Sequence, residues 1–153
     1  MAFWPWKSRP TIAPFREDYT GELLHIPDQA NVTTFVFQLP GDVYLVPSVI
    51  SLRIITGAGI RSSTPSSLLI SRGGHIYNGC NFGPVASSQT AIIFLSACTG
   101  TQVSGTVRIG RLYAFPWPSY CYPDDIFTFD IPSLILGDVI EHIHIHGKLW
   151  RTN

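Results

Sequence analysis

The sequence predicts an all-β protein, and two observations lead to that class. Apolar side chains recur at every second residue in most segments, which is the periodicity of a strand with one buried face. Gly, Pro, Asn and Asp interrupt the chain so often that no ten-residue stretch has helical periodicity without Gly or Pro. We therefore expect an eight-stranded antiparallel β-sandwich with no more than a turn or two of helix.

The predicted strands differ in how clearly they alternate. Phe35, Phe37 and Leu39 share one face of the segment 34–39. The segments 67–71 and 90–97 are instead short apolar runs, which predict strands buried on both faces. Nine segments are candidates for the eight expected strands, namely 22–26, 34–39, 42–46, 50–56, 67–71, 90–97, 101–115, 125–131 and 138–150. Turn signals between them include Pro40-Gly41, Gly73-Gly74 and Asn78-Gly79.

An extended arm, residues 1–20, precedes the single domain predicted for residues 21–153. Its prolines exclude a helix or a central strand, and its exposed aromatic rings would need to pack against something. We expect this arm to fold over its own sandwich or to dock on a neighbouring subunit. The prolines are Pro5, Pro10 and Pro14, and the aromatic residues are Phe3, Trp4, Trp6 and Phe15.

The charge content favours a subunit that associates with copies of itself. Charged residues make up 13% of the chain, ten basic residues balance ten acidic ones, and only two are Lys and three are Glu. Interface cores are depleted in Lys and Glu and enriched in aromatic residues and Arg. Zero net charge without a basic run argues against strong nucleic-acid binding. Proline and polar residues interrupt the most apolar stretch, residues 43–60, so no membrane span is expected. Residues 1–10 contain Pro5 and Pro10 and no apolar stretch of useful length, so a signal peptide is not expected either.

Three histidines alternate along the last predicted strand and form its most distinctive motif. His142, His144 and His146 face away from Val139, Ile143, Ile145 and Leu149. Residues two apart on a strand are separated by about 6.6 Å, so His142 and His144 could share a metal ion, whereas all three could not. We favour a histidine face that lies in solvent or in a subunit contact. Such a face would gain positive charge near pH 5 and weaken the contact.

The loop 115–125 combines aromatic rings with carboxylates. Trp117, Tyr120, Asp124 and Asp125 form the set expected of a lectin-like site, where rings stack on sugar C–H groups and carboxylates accept hydroxyl hydrogen bonds. The same composition suits a rigid loop in a subunit interface, which we favour, with Trp117, Tyr120 and Tyr122 as contacts.

The remaining motifs point away from an enzyme. GxSxG, P-loop, HExxH and GxGxxG patterns are absent, so no catalytic residue and no cofactor are predicted. Cys80, Cys98 and Cys121 form no CxxC pair, which excludes a zinc ribbon or a thioredoxin-like site. We expect free thiols, at least two of them buried, with one disulfide plus one free thiol as the alternative.

The alternating strands, irregular loops, low charge and aromatic arm resemble the single jelly-roll capsid, penton and spike proteins of small icosahedral viruses, including phages. The resemblance covers residues 21–151 and implies two four-stranded sheets in Greek-key order. It also implies a virion location, with copies of the chain and other virion proteins as partners and a host glycan as a candidate ligand. The arm has only Lys7, Arg9 and Arg16, which favours a spike, vertex or minor capsid component.

Predicted interface residues in this interpretation are Phe3, Trp4, Trp6, Trp117, Tyr120, Tyr122, His142, His144 and His146. The His-x-His pattern also resembles a fragment of the cupin metal motif and the axial iron-binding motif of trimeric phage spike tips. The alternative functions are therefore a lectin-like sandwich and a cupin-like barrel in which His142 and His144 bind a metal ion. The cupin pattern continues with a Glu and a distant Gly, whereas here the chain ends at Asn153.

Overall fold

Strands account for all the regular secondary structure in the described part of the chain. A computed structural model describes residues 15–96, 103–104, 108–114 and 120–152, with side chains for 24–96 and 120–151. The strands are β1 (Phe15–Ile26), β2 (Gln29–Ala30), β3 (Thr34–Gln38), β4 (Val43–Ile55), β5 (Ser66–Arg72), β6 (His75–Phe82), β7 (Thr90–Ser96), β8 (Val103–Ser104), β9 (Arg108–Ala114), β10 (Ile126–Asp130) and β11 (Val139–Thr152). The predicted all-β class is confirmed, but the described strands number eleven rather than eight.

These strands form two sheets. The large sheet has the order β1-β11-β4-β7-β9-β8, with β2 also pairing with β11, and the small sheet has the order β3-β10-β5-β6. All pairs are antiparallel except β7 and β9, which run parallel. β9 therefore runs in the same direction as β7 beside it.

A single apolar core lies between the two sheets. The large sheet contributes alternate residues of β4, β7 and β11, and the small sheet contributes Phe35, Leu68, Ile70, Phe127 and Phe129. Phe35 and Phe129 stack with ring centroids 4.7 Å apart. Burying a side chain of this size contributes about 1.5–3 kcal/mol, so period-two alternation determines which face of each strand turns inward.

The N-terminal boundary lies earlier than expected. β1 begins at Phe15, so residues 15–20, which the sequence assigned to the arm, pair with the end of β11. Residues 1–14 lie outside the described residues.

Two predicted strands are one strand in the structure. The segments 42–46 and 50–56 belong to β4, which passes through Pro47 without ending. The strand tolerates proline because its pairing with β11 is irregular there: Pro47 lies opposite Gly147, Val49 opposite His146, and Ser48 is the extra residue between them. The hydroxyl of Ser48 donates a hydrogen bond to the His146 carbonyl at 3.2 Å.

Strand β6 was not predicted, and the expected Asn78-Gly79 turn lies inside it. A Cβ at position 79 would come 2.8 Å from Cδ2 of Leu69, so the glycine makes room for a side chain of the neighbouring strand. The predicted Gly73-Gly74 turn is confirmed. Both glycines have positive φ, 56° and 81°, as a two-residue hairpin loop requires.

The expectation that 67–71 and 90–97 are buried on both faces is wrong. In β7, Ala91, Ile93 and Leu95 are buried, whereas Phe94 is 40% exposed on the outer face of the large sheet. In β5, Leu68 and Ile70 are buried but Leu69 is only partly covered. Phe94 and Leu69 lie at outward positions of their sheets, so part of each side chain stays in contact with water.

Candidate functional site

Four histidines lie together on the outer face of the large sheet. We call His25, His142, His144 and His146 the histidine face. His25 lies opposite His144 in the β1–β11 register, and their ring centroids are 5.1 Å apart. The ring of His144 is 6.2 Å from that of His142 and 6.5 Å from that of His146. The alternation therefore places the predicted histidines on one face and adds His25 to them.

A β-bulge shapes one end of the histidine face. Between Glu141 and His144, β11 contains one residue more than β4 does, and His142 adopts a φ of 50°. The backbone N–H of His142 donates to the Asp28 carboxylate at 3.2 Å, and the carboxylate of Glu141 pairs with Arg53 at 2.7 Å. If the alternation of buried residues at Ile145 and Ile143 continued without the extra residue, Val139 would face the core. Because of the extra residue, Ile140 is buried instead.

The electrostatic environment opposes a charged His144. Burial lowers the pKa of His144, and the neighbouring His25, His142 and His146 lower it further. Among the described residues, no three His, Cys, Asp or Glu side chains are arranged to hold a metal ion.

A shallow depression adjoins the histidine face. Ser51 lies between His144 and Phe94 in the register of β11, β4 and β7, and its short side chain leaves a gap between the two rings. Leu52, Arg53, Ile92 and His142 complete its lining.

The loop before β10 forms a second surface, at the end of the sandwich where β5 meets β6. We call Arg72, Tyr77, Tyr120 and Tyr122 the tyrosine platform. The guanidinium carbon of Arg72 lies 3.9 Å from the ring centroid of Tyr122 and 4.7 Å from that of Tyr77. Tyr77, Tyr120 and Tyr122 are 41%, 65% and 46% exposed. The stacked guanidinium holds two of these rings in place while leaving much of their surface open.

Asp125 anchors the tyrosine platform from beneath. Its carboxylate is fully buried and accepts two hydrogen bonds from Arg72, at 2.8 and 2.9 Å. The Tyr77 hydroxyl donates to it at 2.6 Å, and the backbone N–H of Tyr122 donates at 2.7 Å. Burial alone would raise the pKa of Asp125, but these donors lower it below the ordinary value for Asp.

The residues predicted for a lectin-like site therefore differ in their exposure. Asp125 faces inward with its oxygens occupied, so it is not placed to accept a sugar hydroxyl. Asp124 is exposed, and one of its oxygens accepts a hydrogen bond from Gln38 at 3.2 Å. Tyr120 is exposed on the platform, and Trp117 lies outside the described residues.

A third surface lies at the opposite end of the sandwich, where four loops are joined by hydrogen bonds. Arg61 forms a bidentate ion pair with Asp138 and donates to the carbonyl of Ser133 at 3.0 Å. The hydroxyl of Ser133 accepts from the N–H of Val85, and Asn31 accepts from the N–H of Gly137. These contacts join the loops 31–33, 57–65, 83–89 and 131–138.

This loop end displays two aliphatic side chains to solvent. Ile60 is 97% exposed and Leu136 is 87% exposed, on adjacent loops that the Arg61–Asp138 pair fastens together. Gly59 packs against Ile135, with a φ of 149° that favours glycine. The fastened loops hold Ile60 and Leu136 outward. We call Ile60 and Leu136 the aliphatic tips.

Several predicted interface residues lie outside the described part of the chain, namely Phe3, Trp4, Trp6 and Trp117. Cys80 and Cys121 are free thiols; Cys121 is buried, Cys80 is only partly buried, and Cys98 is not among the described residues, so the expected second buried thiol is not found in the described part of the chain. Burial raises the pKa of both described thiols to about 12, which keeps them protonated.

Arg72, Phe94, Ile60 and Leu136 were not predicted as surface features. Phe94 belongs to an apolar run, and the other three residues lie at strand ends or in loops without periodicity. The sequence did contain a signal for the position of Arg72. This residue directly precedes the predicted Gly73-Gly74 turn, and a turn between two strands lies at an end of the sandwich.

Comparisons with known proteins give no match to a family model, to a curated protein or to a solved structure. In the described residues there is no helix of the length and apolarity needed to cross a membrane.

Proposed function

We propose that the chain is a structural subunit of a virion, a capsid, vertex or spike component with a jelly-roll fold that assembles into a symmetric oligomer. The observation that carries the proposal is the order in which the strands pair, and the apolar outward surfaces support it.

The strand order supports a jelly roll in detail. Setting aside β2, β8 and β9, the eight other strands pair first with last, second with seventh, third with sixth and fourth with fifth. This nested pairing arises when one long hairpin is wound into two facing sheets, and it is the arrangement of a double Greek key. The parallel β9 is an addition at the sheet edge.

The outward surfaces support association. On the small sheet, Val36 is 64% exposed and Ile126 is 37% exposed. The four strands of this sheet contain few ionisable side chains, namely Arg72, His75, Tyr77, Cys80 and Asp130. Phe94 on the large sheet and the aliphatic tips add further apolar area. A closed ring or shell would remove such patches from water, and self-association through matching copies is the common outcome for such subunits.

Sedimentation velocity together with electron microscopy of the purified chain tests the proposal. We expect a defined multiple of the 16.9 kDa subunit and class averages with rotational or icosahedral symmetry. A chain that stays monomeric at high protein concentration would overturn it.

A further inference from the structure

The tyrosine platform has unused binding capacity. Arg72 Nε and Nη2 donate to Asp125, and Nη2 also donates to the Tyr120 carbonyl. Within the described residues, Nη1 of Arg72 and the hydroxyls of Tyr120 and Tyr122 make no hydrogen bond. The platform therefore offers open aromatic faces and donors that are held in place by a buried carboxylate.

The platform lies close to the point where the N-terminal arm leaves the sandwich. Phe15 begins β1 opposite Thr152 of β11, and Trp150 of β11 lies opposite Tyr44 of β4. The ring of Tyr44 contacts that of Tyr122, with centroids 5.4 Å apart. Two strand spacings, about 10 Å, therefore separate the start of β1 from the strand that touches the platform.

The arm has the chemistry that such a platform binds. Proline-rich segments adopt an extended helix without internal hydrogen bonds and dock on aromatic grooves. Their carbonyls accept hydrogen bonds from donors such as Arg72 Nη1. Residues 1–14 combine three prolines with Phe3, Trp4 and Trp6.

The charges are also complementary. The arm contains Lys7 and Arg9 and no acidic residue before Glu17. Asp124, two residues from Tyr122, is exposed and forms no ion pair with any described residue. Its carboxylate is therefore available to a basic side chain of the arm.

The length of the arm points to a neighbouring copy. Trp6 and Trp4 precede Phe15 by nine and eleven residues. In an extended proline-type helix this separation spans about 28–34 Å, roughly three times the two-strand spacing between the start of β1 and β4. An extended arm is therefore long enough to reach beyond the edge of its own sheet.

We propose that the tyrosine platform binds the N-terminal arm, residues 1–14, of a neighbouring copy. This inference rests on the proposed self-assembly and assigns one of its contacts.

Peptide binding tests the contact directly. A fluorescent peptide of residues 1–14 is added to full-length chain carrying Trp4→Ala and Trp6→Ala, so that the protein's own arm does not compete. We expect saturable binding by fluorescence anisotropy. Adding Tyr120→Ala and Tyr122→Ala should weaken it at least about tenfold, since aromatic anchors carry most of the affinity in such contacts.

Two controls make that result specific. Val36→Ala removes an exposed apolar side chain from the small sheet and should leave peptide binding unchanged. A peptide with alanine in place of both tryptophans should bind weakly. Absence of binding, or equal binding to the platform variant, would overturn the inference.

Mixing distinguishes a neighbour's platform from the chain's own. The Trp4→Ala/Trp6→Ala chain keeps an intact platform, and the Tyr120→Ala/Tyr122→Ala chain keeps an intact arm. We expect each alone to assemble poorly and an equal mixture to regain larger species in sedimentation. Peptide binding without recovery on mixing would place the arm on its own subunit and contradict the proposal. If both variants assemble normally, the arm–platform contact is wrong but the proposed self-assembly is not affected. If the wild-type chain is monomeric, the proposed self-assembly itself is wrong.

Discussion

Asp125 has a role that follows from its contacts rather than from its neighbours in sequence. An acid beside aromatic residues in the sequence suggests a ligand-binding role, but the carboxylate of Asp125 is buried beneath Arg72 and accepts four hydrogen bonds. A buried carboxylate is stable only when donors replace its lost hydration. The residue therefore organises the platform.

Replacing this carboxylate should destabilise the fold. Asp125→Asn turns one acceptor oxygen into a donor that faces Arg72 and Tyr77, and we expect the free energy of unfolding to fall by about 2 kcal/mol. Urea unfolding measures the change. Asp124→Asn is the matched control, because that side chain is exposed and accepts a single hydrogen bond, and its effect should stay within about 0.5 kcal/mol. Equal effects of the two variants would contradict the structural role of Asp125.

Acid sensitivity follows from the two buried carboxylates, Asp125 and Asp138. Burial acts to raise both pKa values, but the hydrogen bonds from Arg72 and Arg61 and from backbone N–H groups hold them below the ordinary value. The folded state therefore binds fewer protons than the unfolded chain. Their stabilisation is complete above the unfolded pKa of about 3.9 and is lost as pH falls through the lower folded values.

We therefore expect the urea midpoint to fall steeply below about pH 4. An Asp138→Asn chain should have a lower midpoint at neutral pH and a shallower decline in acid. A decline as steep as that of the wild-type chain would show that another group is responsible.

Gly147 is required by the contact between β11 and β4. A Cβ at this position would overlap the carbonyl oxygen of Val46 and lie 2.8 Å from Cα of Pro47, and both are backbone atoms. Gly147→Ala should therefore lower the free energy of unfolding by at least about 2 kcal/mol or prevent folding. Gly57→Ala is the control, since no atom lies within 4 Å of its added Cβ. Circular dichroism with urea titration compares the two, and a stable Gly147→Ala chain would contradict the close approach.

Strand β11 has a structural face and a titratable face. Its inner residues complete the core between β1 and β4, while its outer residues form the histidine face. The groups that face these histidines are Asp28 from the loop after β1, Arg53 from β4, and Glu141 and Lys148 from β11 itself. Glu141 pairs with Arg53 and also lies 3.7 Å from Nε2 of His142, so Asp28 and Glu141 are the described acids nearest to these histidines.

Acidification should weaken assembly through this strand. An assembly that buries neutral imidazoles loses stability as they become protonated. Because the pKa of His144 is already lowered in the single subunit, this residue becomes protonated only below the ordinary histidine value of about 6.5. We expect smaller species in sedimentation at pH 5 than at pH 7.5. Replacing His142, His144 and His146 by Gln should remove the difference, whereas His75→Gln, an exposed histidine on β6, should retain it. A size independent of pH in the wild-type chain would show that the histidine face lies outside the contacts.

The whole molecule presents apolar side chains on both sheets and at the loop end, yet its formal charge is zero. Such a surface offers little electrostatic repulsion between copies. The rigid loop end is well suited to a contact, because fastened loops lose little conformational entropy on binding.

Substituting the aliphatic tips separates assembly from folding. Ile60→Ser with Leu136→Ser should change the free energy of unfolding by less than about 1 kcal/mol, because both side chains are already in solvent. The same chain should dissociate at concentrations where the wild-type chain is assembled, as measured by light scattering. Ser63→Ala in the same loop is the control. Unchanged assembly of the double variant would exclude the loop end from the subunit contacts.

Short-range pattern was sufficient for part of this protein. Alternation identified the class, the inward faces of β3 and β10, and the common face of three histidines, because burial of one strand face depends on residues two apart. It failed for β6, where Gly79 accommodates Leu69 of another strand, and at Pro47, where a bulge against β11 keeps the strand intact.

Strand pairing, the platform and the loop end required the folded chain. Arg72 and Asp125 are 53 residues apart, and Arg61 and Asp138 are 77 apart, so neither ion pair has a signal in the residues around it. The parallel addition of β9 and the covering of Asp125 likewise depend on which distant segments become neighbours. Local amino-acid order therefore determined most of the strands and their apolar faces. Long-range packing determined which side chains remain exposed and available for contact with a partner.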